Sequence, residues 1–410
     1  MRIGRTLPPA ATPIYLKDIF SGLKGLIRGS KEINRFESEL KDHYKVKHCF
    51  LVSSGKAALT IILKALHELY PERNEVLIPA FTCYSVPSAI IKAGLKVKLC
   101  DINPETLDFD FEQLRKIISL SKTMNNKNSI LAIIPTHLFG LPADVDQVRK
   151  IKDDDKISII EDAAQAMGGT LKRKKIGTFG DIGFFSLGRG KAFSTIEGGI
   201  ILTNNNSMAD DITSQMKRLP AYSVLEILKL VIVSFLLSIF MRPALFWFPK
   251  SIPFLKLGQT LFEPGFPLKK ISSFQAGLTK NWLVRLKEMN SIRKQKSNFF
   301  FECLKKNNNL ASSMIRQNKN NFFLRFPLKI YDKQVFERIL SKSEKSGLGI
   351  MSAYPNSINH IRELEYFFEG KNYPEAYRIS KQLLTLPVHD FISLSDYLKI
   401  KKLICIESRH

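Results

Sequence analysis

Short apolar runs alternate with segments of helical periodicity along the first half of the chain, and this alternation restricts the possible folds more than any other feature. Runs rich in Ile, Val, Leu and Phe lie at residues 48–53, 76–79, 96–101, 130–135, 157–161, 182–186 and 199–203. Between them, segments such as 56–69 carry apolar residues three and four positions apart. Strands that alternate with helices form βαβ units and a mostly parallel sheet. Because most of the runs are apolar throughout, we expect helices to cover both faces of the sheet.

The sequence changes character near residue 275, and this change divides the chain. Residues 1–30 are typical of an arm with a short helix, and residues 31–274 contain the alternating pattern of a large domain. Residues 275–410 begin with a long amphipathic helix, from 275 to near 304, and continue with an Asn- and Lys-rich loop, a strand and further helices. We therefore predict an α/β fold with a large, mostly parallel sheet domain and a small C-terminal α+β domain.

The charge balance is strongly basic, since 62 Lys and Arg residues stand against 38 Asp and Glu, a net charge of +24. Such a balance favours anionic partners, among them phosphorylated small molecules, an anionic membrane surface and nucleic acid. The basic residues are scattered, and the sequence has neither a zinc-finger spacing nor an RNA-recognition aromatic motif. We therefore expect no nucleic-acid partner.

The number and spacing of the cysteines indicate the cellular compartment of the protein. There are five, and none forms a C-x-x-C pair: Cys49, Cys83, Cys100, Cys303 and Cys405. An odd number without such spacing suits a reducing compartment and no disulfide framework. Residues 1–9 carry charge but lack the apolar stretch of a secretory signal. We expect a cytoplasmic protein without a metal site.

Residues 223–248 form a strongly hydrophobic segment that allows three interpretations. Its uninterrupted run, 230–241, is shorter than the about 20 residues that a membrane-spanning helix needs, so spanning is the least favoured. Contact with a membrane surface, at the inner face of the membrane, is supported by the aromatic cluster 246–248 and by the basic composition. A buried or subunit-interface helix pair is the third interpretation.

Residues 53–59 (SSGKAAL) mark a strand end, a turn of small residues and a helix start. A helix N-terminus offers free N–H groups and the positive end of the helix dipole, so it can hold a phosphate. The same pattern is also typical of a Ser-capped helix that binds nothing. Gly55 and Lys56 are therefore candidates for phosphate binding only if other motifs of the sequence also indicate a phosphate-containing ligand.

Asp162 follows the apolar run 157–161, at the strand end where open α/β sheets place their ligands. A carboxylate there is often only a helix cap. It can also pair with a pyridinium nitrogen and keep that nitrogen protonated, which makes the ring an electron sink during transamination. Asp162 is therefore a candidate cofactor ligand.

Residues 180–191 (GDIGFFSLGRGK) end in a glycine-rich turn and a lysine. The Gly190–Lys191 pair resembles a phosphate-binding loop, but Phe185 occupies the required upstream glycine position and Ala192 stands where Ser or Thr is needed. A lysine that follows such a turn and precedes a Glu-Gly-Gly sequence and a strand fits an imine-forming lysine better. Such a lysine must be partly desolvated to act as a nucleophile and proton carrier.

In this order the motifs resemble the DegT/DnrJ sugar aminotransferases, which are fold-type I enzymes that use pyridoxal 5′-phosphate (PLP). The resemblance covers most of the chain. It also includes residues 78–94 (IPAFTCYSVPSAIIKAG), 136–146 (THLFGLPADVD), 161–166 (EDAAQA) and 386–391 (LPVHDF). It implies a seven-stranded, mostly parallel sheet and a homodimer with the active site at the subunit interface.

The resemblance also implies roles for individual residues. Lys191 would be the Schiff-base lysine and the catalytic acid and base. Asp162 would contact the pyridine nitrogen and Gln165 the cofactor ring. Ser186 would bind the phosphate, together with the backbone of Gly55 and Lys56.

Several positions depart from the family pattern. The family usually has Thr at the position of Lys56 and a large aromatic residue that stacks on the cofactor at the position of Cys83, where the adjacent Tyr84 is a possible substitute. An Asn from the neighbouring subunit, which reaches the phosphate, would align near Leu268. We expect Lys56 to supply positive charge in place of this Asn. The loop 187–190 (LGRG) further indicates a divergent branch.

The implied reaction is transfer of an amino group, with L-glutamate as the expected donor, to a keto-sugar carried on a nucleotide or similar phosphate, in polysaccharide or glycoconjugate biosynthesis. One alternative is a PLP-dependent sugar dehydratase of the same superfamily, which has His where Lys191 stands. A second is a non-catalytic PLP-fold sensor or scaffold, associated with a membrane. The combination of Asp162, Gln165, Ser186 and Lys191 argues against the second alternative.

The histidines carry a weaker signal. His137 follows a predicted strand and His389 lies in the late 386–391 turn. For both we favour a structural role over a catalytic one.

Overall fold

The computed structural model describes residues 3–123, 129–255, 257–305, 315 and 322–407. Its strands are β1 His48–Val52, β2 Glu75–Pro79, β3 Lys96–Cys100, β4 Ile130–Ile133, β5 Ser158–Asp162, β6 Thr170–Leu171, β7 Lys174–Lys175, β8 Ile182–Ser186, β9 Gly199–Thr203, β10 Phe326–Lys329, β11 Met351–Ser352 and β12 Leu383–Leu386. The helices of the first part are α1 Leu16–Arg28, α2 Ser30–Tyr44, α3 Gly55–Leu69, α4 Ser85–Lys92, α5 Phe111–Thr123, α6 Val145–Ile151, α7 Asn206–Lys217, α8 Val224–Phe240 and α9 Trp247–Lys250. Those of the second are α10 Ser273–Gly277, α11 Trp282–Lys305, α12 Lys333–Ser346, α13 Pro374–Gln382 and α14 Leu394–Glu407.

The central sheet has seven strands in the order β1-β9-β8-β5-β4-β2-β3. The pairs from β8 through β3 are parallel, whereas β9 runs antiparallel to both β1 and β8. The prediction of an α/β fold with a mostly parallel sheet is therefore confirmed. Each strand falls within or beside one of the apolar runs of the sequence.

Helices cover both faces of this sheet, as the apolar strands predict. In β2, Val76 and Ile78 pack in the same cluster as Leu59 of α3 and other residues of that layer. The intervening Leu77 packs with residues of α5 and α6, among them Leu114. Successive side chains of a strand point to opposite faces, so a fully apolar strand needs an apolar layer on each side.

The carboxyl ends of three strands come together at one edge of the sheet. β1 and β8 are both antiparallel to β9 and hence parallel to each other, and β5 lies beside β8 in parallel register. Residues that follow β1, β5 and β8 therefore lie close together. In open α/β sheets this edge is where ligands bind.

The C-terminal part contains a three-stranded antiparallel sheet, in the order β10-β12-β11. The long helix expected from residue 275 is interrupted, because α10 ends at Gly277 and α11 begins at Trp282. Phe326 and Leu384 of the small sheet belong to the same apolar cluster as Ile78 of the large sheet. The two sheets thus share a continuous core. Most of the Asn- and Lys-rich loop at 305–309 lies outside the described residues.

The N-terminal arm joins the two parts before it enters α1. The Leu7 amide donates a hydrogen bond to Gly347 O at 2.8 Å, and His389 Nε2 donates to Pro8 O at 2.7 Å. Further along the arm, the Thr12 hydroxyl donates to the carbonyl of Lys191. The arm therefore contacts both the C-terminal part and the loop that follows β8.

The hydrophobic segment 223–248 forms α8, a turn and the start of α9. Leu230 and Ser234 of α8 are buried, and Leu230 packs with Ile19 of α1 and Phe274 of α10. Within the part of the chain that the structure describes, no helix combines the length and the apolar character needed to cross a bilayer.

Candidate active site

The N-terminus of α3 forms a cradle at the end of β1. The Ser54 hydroxyl caps the helix by accepting a hydrogen bond from the Ala57 amide at 3.0 Å. The first amides of a helix, here those of Gly55 and Lys56, have no intrahelical acceptor and lie at the positive end of the helix dipole. A Cβ on Gly55 would stand only 2.8 Å from Ser186 Cβ. Glycine therefore lets the cradle approach Ser186 closely, so that amides and hydroxyl can converge on one anion.

Asp162 ends β5 as a buried carboxylate. Its Oδ1 accepts a hydrogen bond from the Ala164 amide at 3.0 Å. Burial raises the pKa of the Asp162 carboxyl above its usual value, and the Ala164 amide and the charge of Lys191 oppose that rise. A buried carboxylate that faces a cavity is stabilised in its charged form by a cation or proton donor. A pyridinium N–H is such a donor.

Lys191 lies in the turn after β8, and its main chain is held from two sides. Its carbonyl accepts hydrogen bonds from Thr12 Oγ1 and, at 3.4 Å, from Arg293 Nη2. Arg293 is 2% exposed and also donates to Ala192 O at 2.9 Å. These donors come from the arm and from α11, so distant parts of the chain fix the position from which the Lys191 side chain extends.

The side chain of Gln165 is held in place by hydrogen bonds, one of them to the C-terminal part of the chain. Its Oε1 accepts from the Phe139 amide at 3.2 Å, and its Nε2 donates to Tyr354 Oη at 2.9 Å. The Tyr354 ring lies 5.2 Å from that of Phe81 and 5.9 Å from that of Phe139. Sequence reasoning missed Tyr354, because no local pattern marks a tyrosine that pairs with a residue far away in the chain.

One cavity of about 180 Å³ joins most of the predicted residues. Its lining is Ser54, Gly55, Lys56, Leu59, Cys83, Ser85, Val86, Asp162, Ala164, Gln165, Phe184, Ser186 and Lys191. Tyr84 is absent from it. The Tyr84 ring is buried, and its hydroxyl donates to Asn356 O at 3.1 Å. The structure thus brings Cys83, rather than Tyr84, to the cavity.

Lys56 borders the cavity but already has protein partners. Its Nζ lies 3.2 Å from Glu263 Oε2 and 4.4 Å from the centre of the Phe266 ring. Leu268, two residues beyond Phe266, packs against the main core. The Lys56 ammonium is therefore held by the Phe266 ring and by Glu263, which is its counter-ion.

These residues fit PLP. The cradle and the Ser186 hydroxyl suit its phosphate, the Asp162 carboxylate suits its ring nitrogen, and the Lys191 amine suits its aldehyde. The close approach at Gly55, which a single methyl group would fill, is the structural observation that supports the phosphate assignment. Among the described residues, no cluster of three or more His, Cys, Asp or Glu side chains is placed to hold a metal ion.

The histidines outside the cavity have structural contacts. His137 Nδ1 accepts from the Ala143 amide at 2.9 Å, so Nε2 carries the proton and donates to Glu161 Oε1 at 2.9 Å. Glu161 also accepts from the amides of Phe179 and Gly180, so the pair fixes the loop before β8. The pKa of His389 is lowered to about 3 by burial. Sequence reasoning missed the structural role of Glu161.

The comparisons with known proteins agree with this geometry. A model of the DegT/DnrJ/EryC1/StrS aminotransferase family matches residues 20–228 and 253–404. GDP-perosamine synthase from Vibrio cholerae is 32% identical over 196 residues, which are 48% of this chain and 50% of that protein. The chain thus matches about half the length of this relative.

Solved structures match over nearly the whole chain. PseC of Helicobacter pylori, an aminotransferase involved in the biosynthesis of pseudoaminic acid, has a TM-score of 0.76 at 16% identity and covers 99% of this chain and 100% of its own. The GDP-4-keto-6-deoxy-D-mannose-3-dehydratase of E. coli, solved with bound hydrated PLP, has a TM-score of 0.73 at 19% identity and covers 98% of this chain and 100% of its own. At these identities the matches establish the fold.

Proposed function

Because the chain belongs to the DegT/DnrJ/EryC1/StrS aminotransferase family, we propose that it is a PLP-dependent sugar aminotransferase. It moves an amino group from L-glutamate to a keto-sugar carried on a nucleotide or similar phosphate, in polysaccharide or glycoconjugate biosynthesis. The observation that carries the proposal is the cavity that unites Lys191, Asp162, Ser186 and the N-terminus of α3. The similarity to GDP-perosamine synthase from Vibrio cholerae supports the substrate class.

Each group has a binding role in this proposal. The amides of Gly55 and Lys56 and the Ser186 hydroxyl hold the phosphate, and the Lys56 ammonium adds positive charge beside it. The Asp162 carboxylate binds the ring nitrogen, and Gln165, fixed by Tyr354, lies against the ring. When bound, PLP supplies an electron sink for the carbanion that transamination requires.

Lys191 moves the proton. Its Nζ would hold the cofactor and, when free, would act as a general base toward the α-proton of the amino donor and then as a general acid that gives this proton back. The contacts that the Lys191 carbonyl accepts from Thr12 and Arg293 fix the main chain from which this side chain extends. Because donor and acceptor use one site in turn, we expect ping-pong kinetics.

The sugar dehydratase of E. coli raises an alternative reaction on the same fold. The family resemblance places a histidine in dehydratases where this chain has Lys191. A primary amine that attaches to the cofactor and moves protons supports amino transfer, so we favour the aminotransferase.

The assembly and location are part of the same proposal. We propose a homodimer with the active site between subunits, supported by the likeness to the family. We retain the division into an arm (1–30), a large domain (31–274) and a small domain (275–410), which the separate small sheet supports. The structure describes all five cysteines, and none of them forms a disulfide. This supports a cytoplasmic location. We propose that residues 223–248 bring the enzyme to the inner face of a membrane.

Visible absorption tests the proposed first half-reaction. The purified protein loaded with PLP is expected to show a yellow band that moves to shorter wavelength when L-glutamate is added. A band that does not shift with L-glutamate but shifts with another amino acid would show that this other amino acid is the donor. A band that responds to none would favour the non-catalytic sensor or scaffold.

A further inference from the structure

Helix α8 presents an unusually apolar face to solvent. The exposed side chains on this face are Val224, Leu225, Leu228, Ile232, Phe235 and Leu236, and their exposed fractions run from 45% for Leu236 to 82% for Val224. Only two residues of the helix, Glu226 and Lys229, are charged. Exposed faces of helices in globular proteins are normally polar. A contiguous apolar patch of this kind marks a surface that meets a partner or a membrane.

The opposite side of α8 is anchored to the protein. Ile227, Leu230 and Leu237 pack with Ile19 of α1 and Phe274 of α10. At the N-terminus, the Ser223 hydroxyl and Glu226 form a capping box. The helix is therefore held in place by one apolar side while the other apolar side stays in solvent.

Helix α1 lies against α8 and also exposes apolar side chains to solvent. Its exposed apolar side chains include Leu16, Phe20 and Ile27, the last of them 88% exposed. The exposed charged residues of α1 are cations: Lys17, Lys24 and Arg28. Its acidic residue, Asp18, is buried against Arg285. We call the exposed sides of α1 and α8 together the two-helix face.

Part of this face lies in a stretch that the family model does not match. The family model matches residues up to 228 and again from 253, so it omits most of α8 and all of α9. The omitted stretch contains Ile232, Phe235 and the half-exposed Phe248. No residue of this stretch lines the cavity, so its exposed apolar side chains have no part in forming that site.

We infer that the two-helix face binds the surface of an anionic phospholipid bilayer. Apolar side chains on a helix that lies in the membrane plane enter the boundary between headgroups and acyl chains, and neighbouring Lys and Arg attract anionic headgroups. Lys17, Lys24 and Arg28 supply these cations beside the apolar residues. The exposed charged residues of α1 beside the apolar side chains are all cations, and the net charge of +24 acts in the same direction, so an anionic bilayer is the complementary partner.

Vesicle co-sedimentation tests the inference, with the full chain loaded with PLP. We expect binding to vesicles of equal parts phosphatidylcholine and phosphatidylglycerol, and much weaker binding to phosphatidylcholine alone. The triple variant Leu228→Ser, Ile232→Ser, Phe235→Ser should bind on the order of a hundred-fold less tightly, because three large apolar side chains no longer leave water. The double variant Lys17→Glu, Lys24→Glu should lose about ten-fold or more on the anionic vesicles only.

The matched control is Phe367→Ser, Leu394→Ser, Leu398→Ser, which removes three side chains of similar exposure far from the face in sequence. It should bind as the unmodified protein does, and all variants should keep the absorption spectrum of bound PLP. Vesicle binding that is absent in the unmodified protein, or unchanged in the α8 triple variant, overturns the inference. So does a shift to a smaller oligomer in the α8 variant without any vesicle binding by the unmodified protein, which would assign the face to a second copy.

Discussion

Replacing Gly55 with alanine tests the phosphate cradle more sharply than any change to a charged residue. Gly55 is the first residue of α3, where its backbone needs no glycine, and in a helix alanine is favoured over glycine by up to about 1 kcal/mol. Any loss of PLP affinity caused by Gly55→Ala must therefore come from the atoms that the new methyl group contacts. That group would stand 2.8 Å from Ser186 Cβ and 3.1 Å from Ser186 Oγ.

The surroundings leave little room for the methyl group. Ordinary contacts between carbon atoms are about 3.5–4.0 Å, so either the start of α3 or Ser186 must move. Ser186 ends β8, which is held between β9 and β5 in the centre of the sheet. On the far side, Ser54 lies so close to Gly199 that a Cβ on Gly199 would collide with Ser54 O. The strain of such overpacking is about 1–3 kcal/mol.

We expect this strain to weaken PLP binding by roughly 10- to 100-fold. The assay is a titration of the cofactor-free protein with PLP and, separately, with pyridoxal, followed by visible absorption. Because only PLP carries the phosphate, pyridoxal affinity should change little. Gly265→Ala is the matched control, since a Cβ at Gly265 meets nothing within 4 Å. Equal weakening of both ligands, or unchanged PLP binding by Gly55→Ala, would refute the cradle.

Three further perturbations follow from the same contacts. Asp162→Asn removes the charge that pairs with a ring N–H, so the rate of the L-glutamate half-reaction in stopped-flow absorption should fall by about 100-fold or more. Arg293→Met removes one of the two donors to Lys191 O, and the Arg293 donor to Ala192 O. It should cost about 1–3 kcal/mol in urea unfolding, with partial recovery in Arg293→Lys. Burial opposes ionisation of Glu161, but the hydrogen bonds from His137 and the backbone outweigh it and lower the Glu161 pKa. Its stabilisation is therefore complete above the unfolded pKa of about 4.5 and lost as pH falls through the lower folded value. Glu161→Gln should remove that part of the acid sensitivity and lower stability at neutral pH.

The sequence carries enough information to predict the sheet and the residues at its edge. Each strand of the central sheet lies within or beside an apolar run, and Asp162, Ser186 and the N-terminus of α3 lie at or directly after strand ends. The family resemblance supplied the role of Gln165. The order of the motifs along the chain was enough to predict that these residues form one site.

The contacts that hold the site in place could not be predicted. Tyr354 reaches Gln165, and Arg293 reaches Lys191, across long separations in the chain that no local pattern records. Cys83 and Tyr84 are adjacent, and only the packing of Tyr84 toward Asn356 decides which of them faces the cavity. In α8 both sides of the helix are apolar, so periodicity alone cannot tell which side packs inward.

Chemical trapping of the cofactor tests the central claim, that Lys191 holds PLP. The PLP-loaded protein is reduced with borohydride, digested, and its peptides are mapped by mass spectrometry, with Lys191→Ala treated in parallel. We predict that the phosphopyridoxyl group is found on the peptide that contains Lys191 and is missing from the variant. Labelling of Lys56 or another lysine instead, or an equal yield of labelled peptide from Lys191→Ala, would contradict the account.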